Sequence, residues 1–218
     1  MENVKERIYP KIDSLYLFDN TIKKYLPDVY ANKSVELLKD CQWYFTEKVD
    51  GTNLRLIWDG YNLTYGGRTL KTNLSNKKRI AYIESNLVNK DIETILEQLF
   101  KEKEVVIYGE LFGGDVGIAN YSSEYQFRVF DIWVDGYWLE YENIVEVANN
   151  LSFNVVPIVL KGTIEDGVNF VKNTNKSELS ETGVFEGIVG KPIGDFYDRN
   201  GERIIVKIKK AHFKKMKE

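Results

Sequence analysis

Short apolar segments in this 218-residue sequence come in pairs, and a turn signal separates the two members of each pair. Three of the four Asp-Gly pairs, at 50–51, 59–60 and 135–136, stand next to residues that favour strands. Asp-Gly in this setting favours a tight hairpin, and hairpins join antiparallel strands. Segments with helical spacing stand between the hairpins and do not alternate with single strands. The sequence therefore predicts an α+β fold of mainly antiparallel sheets with flanking helices.

The longest helical segment runs from Lys77 to Lys103, where apolar residues recur every three or four positions. This spacing predicts one or two amphipathic helices. The segment 109–117, GELFGGDVG, contains four glycines and is predicted to be a loop. Further helices are predicted at 141–151 and 164–173, and strands at 43–49, 53–58, 61–69, 105–108, 125–140 (as a pair), 153–162, 184–191 and 203–209.

Histidine and cysteine are almost absent, and this limits the chemistry open to the chain. His212 and Cys41 are the single residues of their types, so the chain cannot build a Cys/His zinc site or an internal disulfide. A Ser-His-acid triad would have to use His212, which lies in a basic C-terminal segment. Any catalysis is therefore expected to use lysine, aspartate and glutamate side chains.

Charge and hydropathy limit the binding partners. The net charge is −3, so contact with nucleic acid would need a local basic patch. No stretch of about 20 apolar residues occurs, and the N-terminus lacks the apolar region of a signal peptide. The sequence predicts a cytoplasmic protein with no membrane partner.

Lys48 stands out because it follows an apolar strand, lies between Glu47 and Asp50, and precedes the Gly51 turn. A lysine that attacks phosphorus must lose its proton, whereas adjacent acids favour the charged form. A divalent cation held by Asp50 and other carboxylates would reverse that local field. Taken alone, the segment also fits an ordinary lysine at a strand end.

Five further elements follow Lys48 in order: GGRT (66–69), YGELFGG (108–114), FRVFDI (127–132), FEGIVGKP (185–192) and RIIVKIKK (203–210). Together with EKVDGTN (47–53), they resemble the covalent nucleotidyltransferases, which comprise ATP-dependent DNA and RNA ligases and mRNA capping enzymes. The set is most similar to the nick-sealing RNA ligases of the RNA ligase 2 type. Asn53 stands where DNA ligases have arginine, and the GELFGG and VKIKKAHF segments are RNA-ligase-like.

The resemblance implies a nucleotidyltransferase domain around an ATP cleft and assigns a role to each element. Lys48 is the implied nucleophile that forms lysyl-AMP, and Lys207 and Lys209 would hold the α-phosphate. Mg²⁺ or Mn²⁺ would be bound, largely through water, by Asp50, Glu110 and Glu186. The implied contacts to ATP or AMP are Glu47, Lys48, Asn53, Arg68, Glu110, Phe130, Glu186, Lys207 and Lys209.

Several of these residues also have a simpler interpretation. Arg68 fits an exposed turn, where a planar guanidinium would also suit phosphate oxygens. Phe130 lies in an alternating strand and fits the core as well as a stacking position against adenine. Lys207 and Lys209 are two apart, so both project from one face of a strand, either into solvent or onto a phosphate.

Two basic segments are candidates for contact with a phosphate backbone. The C-terminal segment carries Arg203, Lys207, Lys209, Lys210, Lys214, Lys215 and Lys217, and the second segment carries Lys71, Lys77, Lys78 and Arg79. A solvated basic end is the alternative for the first. Many family members carry a further domain after the last element, but only a basic tail (210–218) follows here. The sequence therefore predicts a single catalytic domain over residues 1–218.

The resulting prediction is an ATP-dependent RNA ligase that joins 3′-hydroxyl and 5′-phosphate ends. Its expected partners are nicked or broken RNA, including RNA/DNA hybrids, and a monomer is predicted. The alternatives are a minimal DNA ligase, an adenylyltransferase that stops after AMP transfer, and a degenerate nucleotide-binding module. A capping guanylyltransferase is disfavoured because its last element usually differs from VKIK.

Overall fold

The computed structural model of the chain describes residues 3–69, 76–117, 121–179, 184–194 and 196–216. Lys71 and Lys217, which belong to the two basic segments, lie outside these residues. Within the described ranges, no helix is both long enough and apolar enough to cross a membrane.

The described residues form thirteen strands and six α-helices. The strands are β1 (Asp13–Ser14), β2 (Tyr16–Asp19), β3 (Lys24–Tyr30), β4 (Trp43–Glu47), β5 (Thr52–Trp58), β6 (Leu63–Gly67), β7 (Val105–Phe112), β8 (Gln126–Val134), β9 (Tyr137–Trp138), β10 (Asn154–Val155), β11 (Ile158–Gly162), β12 (Gly187–Pro192) and β13 (Val206–Lys209). The helices are α1 (Lys33–Leu37), α2 (Lys77–Asn86), α3 (Lys90–Phe100), α4 (Tyr141–Asn150), α5 (Ile164–Asn173) and α6 (Lys210–Lys214).

The chain folds into two compact units, each with its own sheet and hydrophobic core. The first unit contains residues 1–10 and 50–155, and the second contains residues 11–49 and 156–218. Antiparallel pairing predominates in both sheets, so the α+β prediction is confirmed. The prediction of a single catalytic domain over residues 1–218 remains a prediction.

The first unit is built on one sheet with the strand order β10-β8-β7-β5-β6, and β9 pairs with β8. All neighbours are antiparallel except β10, which runs parallel to β8. Leu56 and Ile107 of the sheet share a buried core with Ile83 of α2, Leu96 of α3 and Ile144 of α4. Burial of these apolar helix faces holds the three helices on the sheet.

The predicted helical stretch from Lys77 to Lys103 is two helices, because Asn89 caps the second one. Its side chain accepts a hydrogen bond from the Ile92 N–H (3.0 Å), and Asn76 caps α2 in the same way. An N-cap side chain satisfies a backbone N–H that has no partner inside the helix. The chain therefore ends one helix and starts the next within a few residues.

Arg55 is a buried arginine in β5 that fixes the N-terminal segment to the first unit. Its Nε donates to the Gly67 carbonyl (2.9 Å) and its Nη1 to the Arg7 carbonyl (2.8 Å). Burial lowers the pKa of this guanidinium. A Cβ at Gly66 would lie 2.9 Å from Arg55 Nη2. The first glycine of GGRT therefore makes room for Arg55.

The second unit has a five-stranded sheet in the order β1-β13-β12-β4-β11 and a separate β2–β3 hairpin. Only β1 and β13 pair in parallel within this sheet. Helix α5 packs on the sheet through Val168 and Val171, which share a core with Trp43, Phe45 and Ile188. A Thr163–Asp166 capping box begins α5. The three central strands of this sheet position the candidate site.

Two of the predicted elements differ substantially from the structure, and the predicted strands 184–191 and 203–209 begin only at Gly187 and Val206. The predicted strand 153–162 is two strands in different sheets, β10 and β11, because Pro157 lies between them and has no N–H to donate to a ladder. The predicted loop 109–117 begins only after Phe112. Gly109–Phe112 continue β7, where Leu111 pairs with Phe127 and both are buried.

Candidate active site

Lys48 and Glu186 are brought together by the pairing of β4 with β12. The strands are antiparallel with Ile188 opposite Glu47, so Glu186 arrives beside Lys48 although 138 residues separate them. The Lys48 N–H donates to the Gly187 carbonyl (2.9 Å), and Lys48 Nζ donates to Glu186 Oε2 (2.7 Å). The Lys48 side chain is 25% exposed, so a ligand can reach the amine.

Lys209 binds the other oxygen of the same carboxylate. It stands opposite Gly187 at the end of β13, and its Nζ forms an ion pair with Glu186 Oε1. The cluster of Lys48, Glu186 and Lys209 carries two positive charges and one negative charge. Its net positive charge suits an anion such as a phosphate group.

Gly187 allows this close approach of β12 and β13. Its φ is +153°, and a Cβ there would lie 2.1 Å from the Ile208 carbonyl oxygen. Any side chain would therefore push β12 away from β13 and separate Glu186 from Lys209. The backbone requirement explains the glycine that follows Glu186 in FEGIVGKP.

Lys207 lies two residues before Lys209, on the same face of β13 as the strand period predicts. Its Nζ donates to the Ile12 carbonyl oxygen (2.8 Å). Ile12 precedes β1, whose Ser14 pairs with Lys207. Ile12, near the start of the second unit, thus contacts Lys207, one of the two lysines predicted to bind phosphate.

Glu47 has a buried carboxylate, 2% exposed, and its partners lie in the segment after α5. The carboxylate accepts a hydrogen bond from the Ser177 hydroxyl and another from the Glu178 N–H (3.2 Å). A buried charge without such donors would be costly. Sequence reasoning assigned Glu47 to nucleotide binding and did not find Ser177, because a serine in a polar loop gives no signal of its buried partner.

We expect Ser177→Ala to destabilise the protein by about 1–3 kcal/mol, because it removes a donor from a buried carboxylate. Urea unfolding followed by circular dichroism measures the change. Ser85→Ala is the control, since Ser85 is exposed on α2 and its hydroxyl bonds to helix carbonyls and to the exposed Asn86 side chain, with no buried partner. A Ser177→Ala midpoint equal to that of wild type would contradict the proposed anchoring of Glu47.

His212, in α6, is buried and packs against Tyr25, with 4.3 Å between ring centroids and 36° between the ring planes. Burial, together with the positive charges of Lys209, Lys207 and Lys215, lowers the pKa of His212 from 6.5 to about 4. The unfolded chain therefore binds one more proton than the folded chain between these two pH values. Stability is unaffected by this group above about pH 6.5 and decreases as the pH falls towards 4.

As the single histidine, His212 gives an unambiguous NMR test of this pKa. We expect its ring signals to remain at the neutral position down to about pH 5, because the folded pKa is near 4. The free energy of unfolding of the wild type should fall between pH 7 and pH 4.5. We expect His212→Gln to make that fall smaller by about 2 kcal/mol, measured by urea unfolding at both pH values. A ring titration midpoint near 6.5 would contradict this assignment.

Three other predicted site residues lie in the first unit, at or near the end of β5. Asn53 on β5 stands opposite Glu110 on β7, so their backbones are cross-strand neighbours. The Asn53 Oδ1 atom is buried and accepts no hydrogen bond from the described residues. Asp50 precedes β5, and its N–H donates to the Tyr121 hydroxyl (2.9 Å). The β5–β7 pairing thus brings Asn53 and Glu110 together.

Arg68 and Phe130 also lie in the first unit. Arg68 is exposed in the bend after β6. Phe130 on β8 is half-buried and meets Tyr9 edge to face, with 5.0 Å between ring centroids. The Tyr9 hydroxyl donates to Asp131 Oδ2 (2.7 Å). Tyr9 of the N-terminal segment was missed by sequence reasoning, and it fixes the Phe130–Asp131 part of β8.

Metal ligands in this structure would be carboxylates. In the described part of the chain, no three His, Cys, Asp or Glu side chains cluster closely enough to hold a metal ion directly. Glu186 offers carboxylate oxygens, which Mg²⁺ and Mn²⁺ prefer, in direct contact with the Lys48 amine. The donor chemistry of Glu186 therefore fits a hydrated divalent cation.

The two basic segments have different surroundings. Residues 210–214 form the helix α6, and Lys210 Nζ donates to the Thr174 carbonyl and to Asn175 Oδ1. In the other segment, Arg79 Nη2 lies 3.5 Å from Asp115 Oδ1. That carboxylate reduces the positive charge available at the start of α2.

Comparison with known proteins identifies one family. A family model described as RNA ligase matches residues 42–209, which is most of the chain. None of the curated protein sequences matches the chain.

Solved structures of one enzyme share the fold. A mutant of Naegleria gruberi RNA ligase with AMP and Mn has a TM-score of 0.61 and 18% identity. A second mutant with ATP and Mn has a TM-score of 0.61 and 17% identity, and the ligase with PPi has 0.60 and 18%. Each alignment covers 93% of this chain and 60% of the other, so this chain spans about 60% of their length. At these identities the similarity establishes the fold.

Proposed function

The chain belongs to the RNA ligase family, and we propose that it carries out ATP-dependent ligation of RNA. In the proposed reaction, 3′-hydroxyl and 5′-phosphate ends are joined through lysyl-AMP and adenylated RNA. The observation that carries this proposal is the cluster in which Glu186 binds both Lys48 Nζ (2.7 Å) and Lys209 Nζ. Similar structures of the Naegleria gruberi ligase hold ATP or AMP with Mn, which supports ATP as the nucleotide.

In the first step, the Lys48 amine, made neutral by loss of a proton to solvent, attacks the α-phosphorus of ATP and releases a second proton to solvent as the phosphoramidate forms. A nitrogen–phosphorus bond forms, the bond from the α-phosphorus to the bridging oxygen breaks, and pyrophosphate leaves with that electron pair. Lys209, and Lys207 on the same strand face, supply positive charge where negative charge develops on the phosphate oxygens. Glu186 orients Lys48 through the ion pair.

Two transfers complete the reaction. A 5′-phosphate oxygen of RNA attacks the lysyl-AMP phosphorus, the nitrogen–phosphorus bond breaks, and the lysine nitrogen takes up a proton. The 3′-hydroxyl then loses its proton and attacks the phosphorus of the activated 5′ end. A phosphodiester bond forms, and AMP leaves.

We further propose that Mg²⁺ or Mn²⁺ assists these steps. The family resemblance gives Asp50, Glu110 and Glu186 as the candidate ligands, largely through water. A bound divalent cation would supply positive charge that favours the neutral form of the Lys48 amine and offsets the charge on the phosphates.

Nucleotide contacts in the first unit remain proposals from the family resemblance. Arg68 would contact AMP or the 5′-phosphate, Phe130 would stack on adenine, and Asn53 and Glu110 would contact the nucleotide. The resemblance also implies a nucleotide contact for Glu47, which directly precedes Lys48 in the second unit. We also propose, from the sequence, a cytoplasmic monomer that acts on nicked RNA or RNA/DNA hybrids.

A sealing assay tests the function directly. The protein is incubated with metal, ATP or GTP, and a 5′-labelled nick whose 3′-hydroxyl strand is RNA or DNA. We expect sealed product with ATP and an RNA 3′-hydroxyl end, adenylated RNA as an intermediate, and no product with GTP or EDTA. Equal sealing of all-DNA nicks would favour the DNA ligase alternative, and transfer that stops at adenylated RNA would favour the adenylyltransferase.

A further inference from the structure

Helix α6 brings lysines from three separate segments of the second unit onto one surface. The Tyr25 N–H donates to the Lys215 carbonyl (2.8 Å), and the Tyr25 ring packs against His212. The first residue of β3, Lys24, is therefore next to the end of α6. Lys214 and Lys215 are exposed there, and so are Lys23 and Lys24 in the hairpin.

The end of α5 adds further lysines to this surface. Lys172 Nζ lies 5.3 Å from the centroid of the Phe213 ring in α6. Lys210 Nζ contacts Thr174 and Asn175 of the segment that follows α5. We call the whole set the lysine surface: Lys23, Lys24, Lys172, Lys176, Lys210, Lys214 and Lys215.

Carboxylates do not neutralise the lysine surface. Within the described residues, none of its seven lysines forms an ion pair with Asp or Glu. Asp19 stands opposite Lys24 in the hairpin, and one of its carboxylate oxygens accepts the N–H groups of Thr21 and Ile22, so this single negative charge offsets only part of the charge of the seven lysines. The chain as a whole has a net charge of −3, so this concentration of positive charge is a local exception.

A second observation also indicates a positive potential at this place. The lowered pKa of His212 is due first to burial and then to the positive charges of Lys209, Lys207 and Lys215. Like charges held together without counter-charges repel one another, and binding of a polyanion relieves that repulsion.

The lysine surface is continuous with the candidate active site. Lys210 follows Lys209 directly, and its N–H donates to the Glu186 carbonyl (3.0 Å). Helix α6 then extends for about 7 Å, at 1.5 Å per residue, towards Lys214 and Lys215. An RNA strand whose end reaches Lys48 could therefore place its phosphates along this helix.

We propose that the lysine surface binds the phosphate backbone of the RNA whose ends are joined. The inference rests on the proposed function, because it takes RNA as the substrate at Lys48. It adds the β2–β3 hairpin and the end of α5 to the contact surface. Binding through lysines to phosphates is expected to depend little on base sequence and strongly on salt.

The test compares two triple variants with the same change of charge. Lys24→Gln, Lys214→Gln and Lys215→Gln are combined on the lysine surface. The control combines Lys33→Gln, Lys39→Gln and Lys161→Gln, which are exposed lysines on other elements of the second unit. Circular dichroism melting checks that both variants fold. Affinity for a fluorescein-labelled RNA duplex with one nick is measured by anisotropy over a range of KCl concentrations.

We expect the first variant to bind at least about tenfold more weakly at low salt, and the control to bind like wild type. The slope of log Kd against log salt should decrease by about 2 in the first variant, since each lost phosphate contact contributes about 0.7–0.9. Affinity and slope equal to those of wild type or of the control would overturn the proposal. Absence of RNA binding by the wild type would overturn it too.

Self-adenylation with ATP in the absence of RNA separates this proposal from the proposed function. If the wild type forms no covalent adduct, the ligase function fails, while the binding data still decide on the lysine surface. If the adduct forms and the first variant binds RNA like wild type, only the lysine surface is wrong.

Discussion

Lys48→Ala is expected to abolish the covalent label that wild type acquires from α-labelled ATP and metal, a drop of at least about a thousandfold. The reason is that, in the proposed reaction, Lys48 supplies the nitrogen that bonds to phosphorus. Its contact with Glu186 (2.7 Å) places that nitrogen beside the proposed metal ligand and Lys209. The measurement is the radioactivity retained by the protein on a denaturing gel.

Lys48→Arg is the sharper variant, because it keeps the positive charge opposite Glu186. A guanidinium remains protonated and cannot act as this nucleophile. We expect an intact fold and no label. Lys161→Ala is the matched control, since Lys161 is an exposed lysine on β11, the strand next to β4, and its label should equal that of wild type. Label retained by Lys48→Arg would show that another residue is modified.

Glu186→Gln is expected to lower the rate of lysyl-AMP formation by about a hundredfold. The substitution keeps the shape of the side chain but removes the charge that holds Lys48 and Lys209 on its two oxygens. Misplacement of a reacting group by about 1 Å can cost this much. The rate is measured by rapid quench of the labelling reaction at saturating ATP.

Two further variants show whether the effect of Glu186→Gln is specific. Glu186→Asp keeps the charge on a shorter side chain and should recover part of the rate. Glu165→Gln changes an exposed glutamate in the first turn of α5 and should leave the rate unchanged. If Glu186→Gln labels as fast as Glu165→Gln, the carboxylate has no role in the reaction.

The positions of several candidate site residues could be predicted from the sequence because they stand at the ends of clear strands, whereas their roles come from the family resemblance and remain proposals. Lys48 follows β4, Glu186 precedes β12 and Lys209 ends β13, and each strand has an apolar pattern that places its neighbours. The contacts of Lys48 and Lys209 with Glu186 require only that β12 pairs with both other strands. The two-residue period put Lys207 and Lys209 on one face of β13.

The partners of Glu47 and Phe130 could not be predicted in the same way. Ser177 binds Glu47 across 130 residues of sequence, and Tyr9 meets Phe130 from a segment outside every recognised motif. A single serine or tyrosine carries no periodic signal, so only the folded chain identifies its contact.

Strand prediction failed for physical reasons in the N-terminal part of the second unit. β1 has only two residues, and β3 contains Pro27, which usually argues against a strand. β3 is largely exposed, so it lacks the alternation that marks a half-buried strand. The opposite error occurred around Pro157. The apolar run there was predicted as one continuous strand, but the structure divides it between two sheets.

The central claim is that the Lys48 amine becomes covalently bound to AMP. The most direct measurement is peptide mass spectrometry after incubation of the wild-type protein with ATP and Mg²⁺. The account predicts an added AMP on Lys48 that is lost in acid and retained in alkali, as expected for a phosphoramidate. An AMP on any other residue, or an unmodified Lys48 under conditions where RNA is sealed, would contradict it.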